Sequence, residues 1–296
     1  MRFISFLFGL FASFFAGVSV SDIHNIKLRH YVCGSEKIRK DLRVAVLSDL
    51  HGRSFGKDNR GLIAAIDRSR PDMILMCGDI MTAKDIGHSI KGSVDVAEKL
   101  ITRLSDKYPV YFVLGNHESR VGWMPWLYDF GYEDMIERFR NAGARILDNE
   151  SIRIEEFGVR IYGLALSREY YTGVGKHAVD REVVRSYLGE ADREYFSILL
   201  AHDPVHLQSY AAWGADMCFS GHYHGGIMRL PVLGGVISPK PELFPKYSGG
   251  SYSLGGRRQI VSCGLGSHSI PLRIFNPAEL VIVDLLEDRD GNIRKA

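Results

Sequence analysis

Several things are scarce in this sequence, and each scarcity removes a class of protein. Four cysteines in 296 residues are too few for a disulfide scaffold. Neither sign of charge dominates, since 37 Lys and Arg stand against 35 Asp and Glu for a formal net charge of +2. A nucleic-acid partner calls for a basic stripe, and the chain has none, which disfavours a nuclease. The mean hydropathy of −0.06 excludes a polytopic membrane protein. Apolar residues make up 46% and charged residues 24%, near globular averages, so the chain is not disordered, collagen-like or coiled-coil. No internal repeat or low-complexity tract is present. The length permits one large α/β domain or two ordinary ones.

One long apolar run breaks this pattern. Residues 3–21 carry no charge, and Arg2 and Asp22 flank them. As a helix the run spans about 28 Å, against a hydrocarbon core of roughly 30 Å. We read residues 1–21 as a membrane anchor, with a cleaved signal peptide as the alternative. Ala16, Gly17 and Ser19 supply small residues at its end, but no clean cleavage motif and no twin arginine occur. Lys27, Arg29, Lys37, Arg39 and Lys40 follow the run and favour the cytoplasmic face, although long domains translocate regardless of charge, so export is the alternative. Cys77, Cys218 and Cys263 lie in or beside apolar stretches and read as buried free thiols, consistent with a reducing compartment. Cys33 falls in the linker. Nothing in the sequence specifies an oligomeric state.

Residues 22–42 are polar and read as a linker or a first edge strand. A folded domain is expected over 43–290. Within it, short apolar runs at 43–48, 72–77 and 110–114 alternate with helical patterns at 59–68 and 94–104. A long helical region follows up to Gly143. Further strands are expected at 145–147, 152–156, 159–165, 196–201, 216–219, 258–263 and 280–286. Residues 231–250 are rich in Pro and Gly and read as a long loop. Continuous apolar strands imply sheets covered on both faces, so two sheets with helices outside them fit the pattern.

Five of these strands end in side chains suited to metal or acid–base chemistry. Asp49-Leu50-His51-Gly52 follows the first, Gly78-Asp79 the second and Gly115-Asn116-His117-Glu118 the third. His202-Asp203 and Gly221-His222-Tyr223-His224-Gly225 follow two later ones. The carboxyl ends of strands are where open α/β sheets build their sites. Strand alternation predicts that Asp49 and His51 share a side, and likewise His222 and His224. Two Asp, one Asn and four His are nitrogen and oxygen donors that suit Mn, Fe, Zn or Co. Seven donors exceed one tetrahedral zinc and suit two cations sharing a carboxylate. His24, His30, His88, His177, His206 and His268 lack this context and read as structural or surface residues.

In this order, Asp-x-His, Gly-Asp, Gly-Asn-His-Glu, a lone His and Gly-His-x-His resemble the calcineurin-like metallophosphoesterases, over residues 43 to about 286. The resemblance implies an α/β, four-layer α/β/β/α sandwich with a binuclear centre. It implies that Asp49, His51, Asp79 and His224 hold the first of two divalent cations. Asp79 would bridge, and Asn116, His202 and His222 would complete the second site. His117 would contact the phosphate as general acid, and Glu118 would orient His117. The implied reaction is attack of a metal-bridging hydroxide on a phosphomonoester or phosphodiester. After Asp79 comes Ile80-Met81-Thr82, unlike the Ser/Thr protein phosphatases. The stretches 225–231 and 244–247 and Gly264-Leu265-Gly266 are similar to a bacterial membrane- or wall-associated branch. That branch includes enzymes acting on UDP-2,3-diacylglucosamine, so a pyrophosphatase of that kind is one alternative. A non-catalytic protein-binding scaffold is the other. Trp123, Trp126, Tyr128, Phe130 and Tyr132, or Leu230, Val232, Leu233, Val236 and Ile237, could line a groove for a lipid-linked substrate; ordinary packing is the competing reading. Arg53, Arg120 and Arg229 are candidate phosphate partners.

Overall fold

The computed structural model describes residues 2–84, 89–171, 178–238, 242–267 and 271–288. His88, His177 and His268 lie outside them. Helix α1 (Arg2–His24) leads after one residue into strand β1 (Ile26–Ser35). Strands β2 (Leu42–Leu47), β3 (Met73–Cys77), β4 (Val110–Val113) and β5 (Ala144–Ile146) are parallel neighbours, with helices α2 (Arg60–Ser69) and α3 (Lys91–Ser105) in the connections. The stretch after β4 is broken rather than one long helix. It contains α4 (Asn116–Trp123), a short turn containing Pro125, and α5 (Tyr132–Asn141), because Pro125 cannot donate within a continuing helix.

The second half holds β6 (Ser151–Ile154), β7 (Val159–Leu164), the short α6 (Arg168–Tyr171), α7 (Arg181–Leu188), β8 (Phe196–Ala201), α8 (Leu207–Trp213) and β9 (Met217–Ser220). A two-strand ribbon pairs β10 (Arg229–Leu230), just before the loop expected at 231–250, with β11 (Gly234–Gly235) inside it. Then come β12 (Gly250–Leu254), which the sequence reading missed, β13 (Arg257–Val261) and β14 (Ala278–Glu287). The chain closes two six-stranded sheets, ordered β1-β14-β2-β3-β4-β5 and β12-β13-β9-β8-β7-β6. β1 pairs parallel with β14, so Cys33 lies buried in a sheet and not in a linker. All four cysteines are free and buried.

Alternation along each strand explains the layering. In β2, Val44 and Val46 face the second sheet and meet Ile161, Ile198, Leu200 and Phe219. Ala45 and Leu47 face the other way, onto Leu62 and Ile66 of α2 and Leu100 and Ile101 of α3. In the second sheet, Leu199 and Cys218 turn outward onto Val184, Tyr210 and Trp213. The result is a single domain of four layers, α/β/β/α, with its main core between the sheets. Parallel pairing points the carboxyl ends of β2, β3 and β4, and of β8 and β9, to one edge of the sandwich.

Leu200, fully buried between the sheets, measures that core. Leu200→Ala should lower the free energy of unfolding by about 3 kcal/mol, read from the shift of a urea transition with unchanged slope.

Candidate metal centre

The five strand-end segments converge. Three overlapping groups, Asp49–His51–His224, His51–Asp79–His117 and Asp79–His202–His222, place their ligand atoms within 4.8 Å of one another. Asp79 is central. Its Oδ2 lies 3.0 Å from His202 Nε2, 3.8 Å from His51 Nε2 and 3.9 Å from His117 Nε2. His224 Nε2 lies 3.3 Å from Asp49 Oδ1 and 3.1 Å from His51 Nε2.

The backbone that achieves this is not extended strand, as the alternation argument expected. Asp49, His51, Asp79, His222 and His224 all have φ between 51° and 72°. This left-handed region is uncommon for side-chain-bearing residues, although Asp and His tolerate it better than most. The turns are held by paired bonds: Asp49 N donates to Gly78 O, His51 N to Asp79 O and Gly52 N to Ile80 O. His222 N donates to the Asp49 carboxylate at 3.0 Å, and Ser48 Oγ donates to Asp49 Oδ2 at 2.7 Å. Gly221 is required by close approach, since a Cβ there would lie 1.9 Å from Ser48 Oγ and 2.2 Å from Asp49 Oδ2.

The hydrogen bonds assign the imidazole tautomers. His202 Nδ1 donates to Cys77 O at 2.7 Å, and His224 Nδ1 faces Gly266 O at 3.4 Å. A carbonyl can only accept, so each Nδ1 carries a proton and each Nε2 is the nitrogen turned into the site. Those Nε2 atoms face carboxylate oxygens across 3.0–3.3 Å. Such an arrangement needs a positive charge, either a second ring proton or a bound cation, and a carbonyl-held Nδ1 is the outer-layer pattern of metal-bound histidine. Asn116 Oδ1 is buried and has no hydrogen-bond partner among the described residues, as a neutral metal donor would. The donors therefore fit divalent cations. Without a cation, ring protons supply the positive charge. Burial raises Asp49 to about 6. Burial would also raise Asp79, but His202 and His117 hold it well below the usual carboxylate range. His202, which burial would lower, is raised to about 10 by Asp79 and Asp49.

Other expectations need revision. Glu118 is a scaffold for the turns. Its Oε2 accepts from Asp79 N and Gly115 N, both at 2.9 Å, and its Oε1 from Ile80 N at 2.8 Å and Met81 N at 3.1 Å. Burial raises its carboxyl to about 7. The His117 ring is oriented instead by Ala83 N, which donates to Nδ1 at 2.9 Å. Arg120 donates to Ala83 O at 3.1 Å, and Arg229 to Gly225 O at 3.0 Å and Gly249 O at 3.3 Å, so both brace loops. Arg53 stacks on Phe55. Tyr128, Phe130 and Tyr132 pack against the core, whereas Trp126 is 73% exposed. The sequence reading missed Thr82, whose Oγ1 lies 3.1 Å from His51 Nδ1. It also missed Arg273 and Asn276, whose only local signal is the Asn276-Pro277 turn dipeptide.

This fold, with clustered Asp and His donors at its strand ends, defines a metal-dependent phosphoester hydrolase. The calcineurin-like phosphoesterase family profile matches residues 42–226, and the chain belongs to that family. It is 26% identical to an uncharacterized metallophosphoesterase of Aquifex aeolicus, covering 88% of this chain and 92% of that one. It is 25% identical to YkuE of Bacillus subtilis, over 82% and 78% of the two chains. It is 24% identical to the phosphodiesterase YaeI of Escherichia coli, over 88% and 87%. Among solved structures, a 5′-nucleotidase precursor from Thermus thermophilus aligns with TM-score 0.43 and 14% identity. That match covers 76% of this chain and 49% of the nucleotidase, so the chain spans about half of that protein's length.

Removing Glu118 strands four buried amides. Glu118→Ala should cost about 3 kcal/mol or more in unfolding free energy, and Glu118→Gln, which keeps an acceptor oxygen, should cost less. Thermal denaturation of the two variants checks the order.

Proposed function

We propose that the chain hydrolyses a phosphodiester or phosphomonoester at two divalent cations, with α1 fixing the enzyme to a membrane. The carrying observation is the inward-facing Nε2 atoms of His202 and His224 set against Asp79 and Asp49, with each Nδ1 held by a main-chain carbonyl. Asp49, His51, Asp79 and His224 hold one cation in this reading, Asn116, His202 and His222 complete the other, and Asp79 is shared. The donor set suits Mn, Fe, Zn or Co. When bound, such cations acidify water and neutralise charge on phosphoryl oxygens.

The protein's own groups supply orientation and hydrogen bonding. His117 Nδ1 accepts from Ala83 N, so its ring proton sits on Nε2, the nitrogen nearer Asp79. It donates that N–H to a phosphoryl or leaving oxygen. Becoming an imidazolium would break the Ala83 bond, so His117 enters as a neutral donor, unlike the general acid expected from the resemblance. A cleft of ≈ 390 Å³ opens beside His51 and is lined by Gly52, Thr82, Lys84, Ser89, Ser93 and Ser267 among others. Its hydroxyls and one ammonium suit a charged phosphoester head group.

Three further features support the finer reading. The relative named a phosphodiesterase favours a diester. Residues Ser5–His24 form a helix of mean hydropathy 1.7, with 12% of its apolar window buried. Leu230, Val232 and Leu233 are exposed in the loop beyond His224. Together these favour a lipid-linked substrate.

The test is a panel of aryl phosphomonoester, aryl phosphodiester, nucleotide diphosphate and lipid-linked diester, with Mn, Zn and Mg compared. Turnover should vanish on chelation and return with one of these metals. His117→Ala should lower kcat by about a hundredfold or more. Asn116→Ala should bind fewer cations per chain. Undiminished turnover after exhaustive chelation, or by His117→Ala, overturns the mechanism.

A further inference from the structure

The last three turns of α1 do more than leave an apolar helix behind. Phe15, Ser19 and Asp22 are spaced i, i+4, i+7 and form one stripe. Each meets the turn 273–276. The Phe15 and Phe275 rings lie 6.0 Å apart. Arg273 N donates to Ser19 Oγ at 3.2 Å. Asn276 N donates to Asp22 Oδ2 at 2.7 Å. Ser19 is buried, although most of the helix around it is exposed.

The side chains of that turn reach two metal-donor segments. Asn276 Nδ2 donates to His224 O at 2.7 Å and also to Gly226 O. His224 has φ 51° and Gly225 has φ 72°, and a Cβ on Gly225 would lie 2.4 Å from Asn276 Oδ1. Asn276 therefore fills the space behind the His224 turn and fixes its carbonyls. Arg273 is buried, and its guanidinium donates to Gly264 O at 2.9 Å, Gly266 O at 2.8 Å, Asn276 O at 3.0 Å and Pro277 O at 3.1 Å. The loop it gathers lies directly behind Asp49. Leu265 N donates to Ser48 O, and Gly266 N to Asp49 O at 2.6 Å. Phe275 itself sits at φ 55°, a strained conformation for an aromatic residue, and the bonds from α1 clamp the residue two before it and the one after it.

We propose that Asp22 and Ser19 are positioning residues of the metal centre: through Asn276 and Arg273 they fix the backbones that carry His224 and Asp49. The inference rests on the metal-centre reading above. It makes α1 a working part of the catalytic domain.

The test uses the full chain in detergent micelles. Mn(II) binding is followed by the loss of the free-ion paramagnetic resonance signal, and kcat and KM are measured on an aryl phosphodiester. Amide hydrogen exchange is measured across 224–226 and 264–266 without metal. Asp22→Ala should weaken Mn(II) binding about tenfold, the scale of losing a ligand's outer support. It should also lower kcat more than KM and speed exchange at 224–226. Asp22→Asn keeps an acceptor oxygen and should recover most of the binding. Val20→Ala, exposed on the same turn, should behave as the wild type. Wild-type Mn(II) affinity and exchange in Asp22→Ala overturn the inference, as does equal weakening in Val20→Ala. A wild-type chain that binds no Mn(II), Zn(II) or Fe(II) overturns the metal-centre reading instead.

Discussion

Imidazole nitrogens facing carboxylate oxygens set the terms of this structure. Two imidazoles have their Nδ1 protons pinned outward by main-chain carbonyls, and their Nε2 atoms meet buried carboxylate oxygens. Burial makes a positive charge between those partners, proton or cation, indispensable. Much of the surrounding architecture works to hold them in place. The two sheets present five strand ends at one edge. Five donors adopt left-handed backbone that only a dense mesh of bonds sustains. Glu118 spends its carboxylate on four amides to lock two of the loops together. A site held this firmly is organised before any cation arrives, and preorganisation of that kind makes affinity and geometry robust.

What the sequence revealed follows from range. A strand and the residues just past it are local, so Asp49, Asp79, Asn116, His202 and His222 could be read from their apolar runs, and the layering followed from runs apolar on both sides. The errors arose where local patterns meet distant partners. Asp49 and His51 look like alternating strand residues, yet bonds from the turn after β3 curl them out of the strand. Glu118 stands beside His117 in sequence, but its bonds go to the other loops. Arg120 and Arg229 carry the right charge for phosphate and are consumed by carbonyls. Asn276 touches the His224 carbonyl from 52 residues away, and no spacing rule reaches that far.

Arg273 shows how a buried cation can be accommodated without an ion pair. Burial lowers its affinity for a proton, and its nitrogens donate to five carbonyls instead. Guanidinium suits this role because its donors diverge in a fixed plane. One side chain thus ties the segments 263–266 and 276–277 together behind the candidate donors, where a packed apolar residue would leave those carbonyls unmet.

The pairing of β1 with β14 has a consequence for how the molecule is made. His30 and Asp284, 254 residues apart, sit side by side. The earliest strand of the first sheet must therefore wait for the latest. During synthesis β1 has no sheet partner until nearly all the described chain has emerged, and β14 must then wedge between β1 and β2 to seal the sheet. Contacts this distant slow folding and leave an unpaired edge open to the wrong neighbour in the meantime. Assembly of this enzyme is thus a race between its own last strand and any other strand that finds the open edge first.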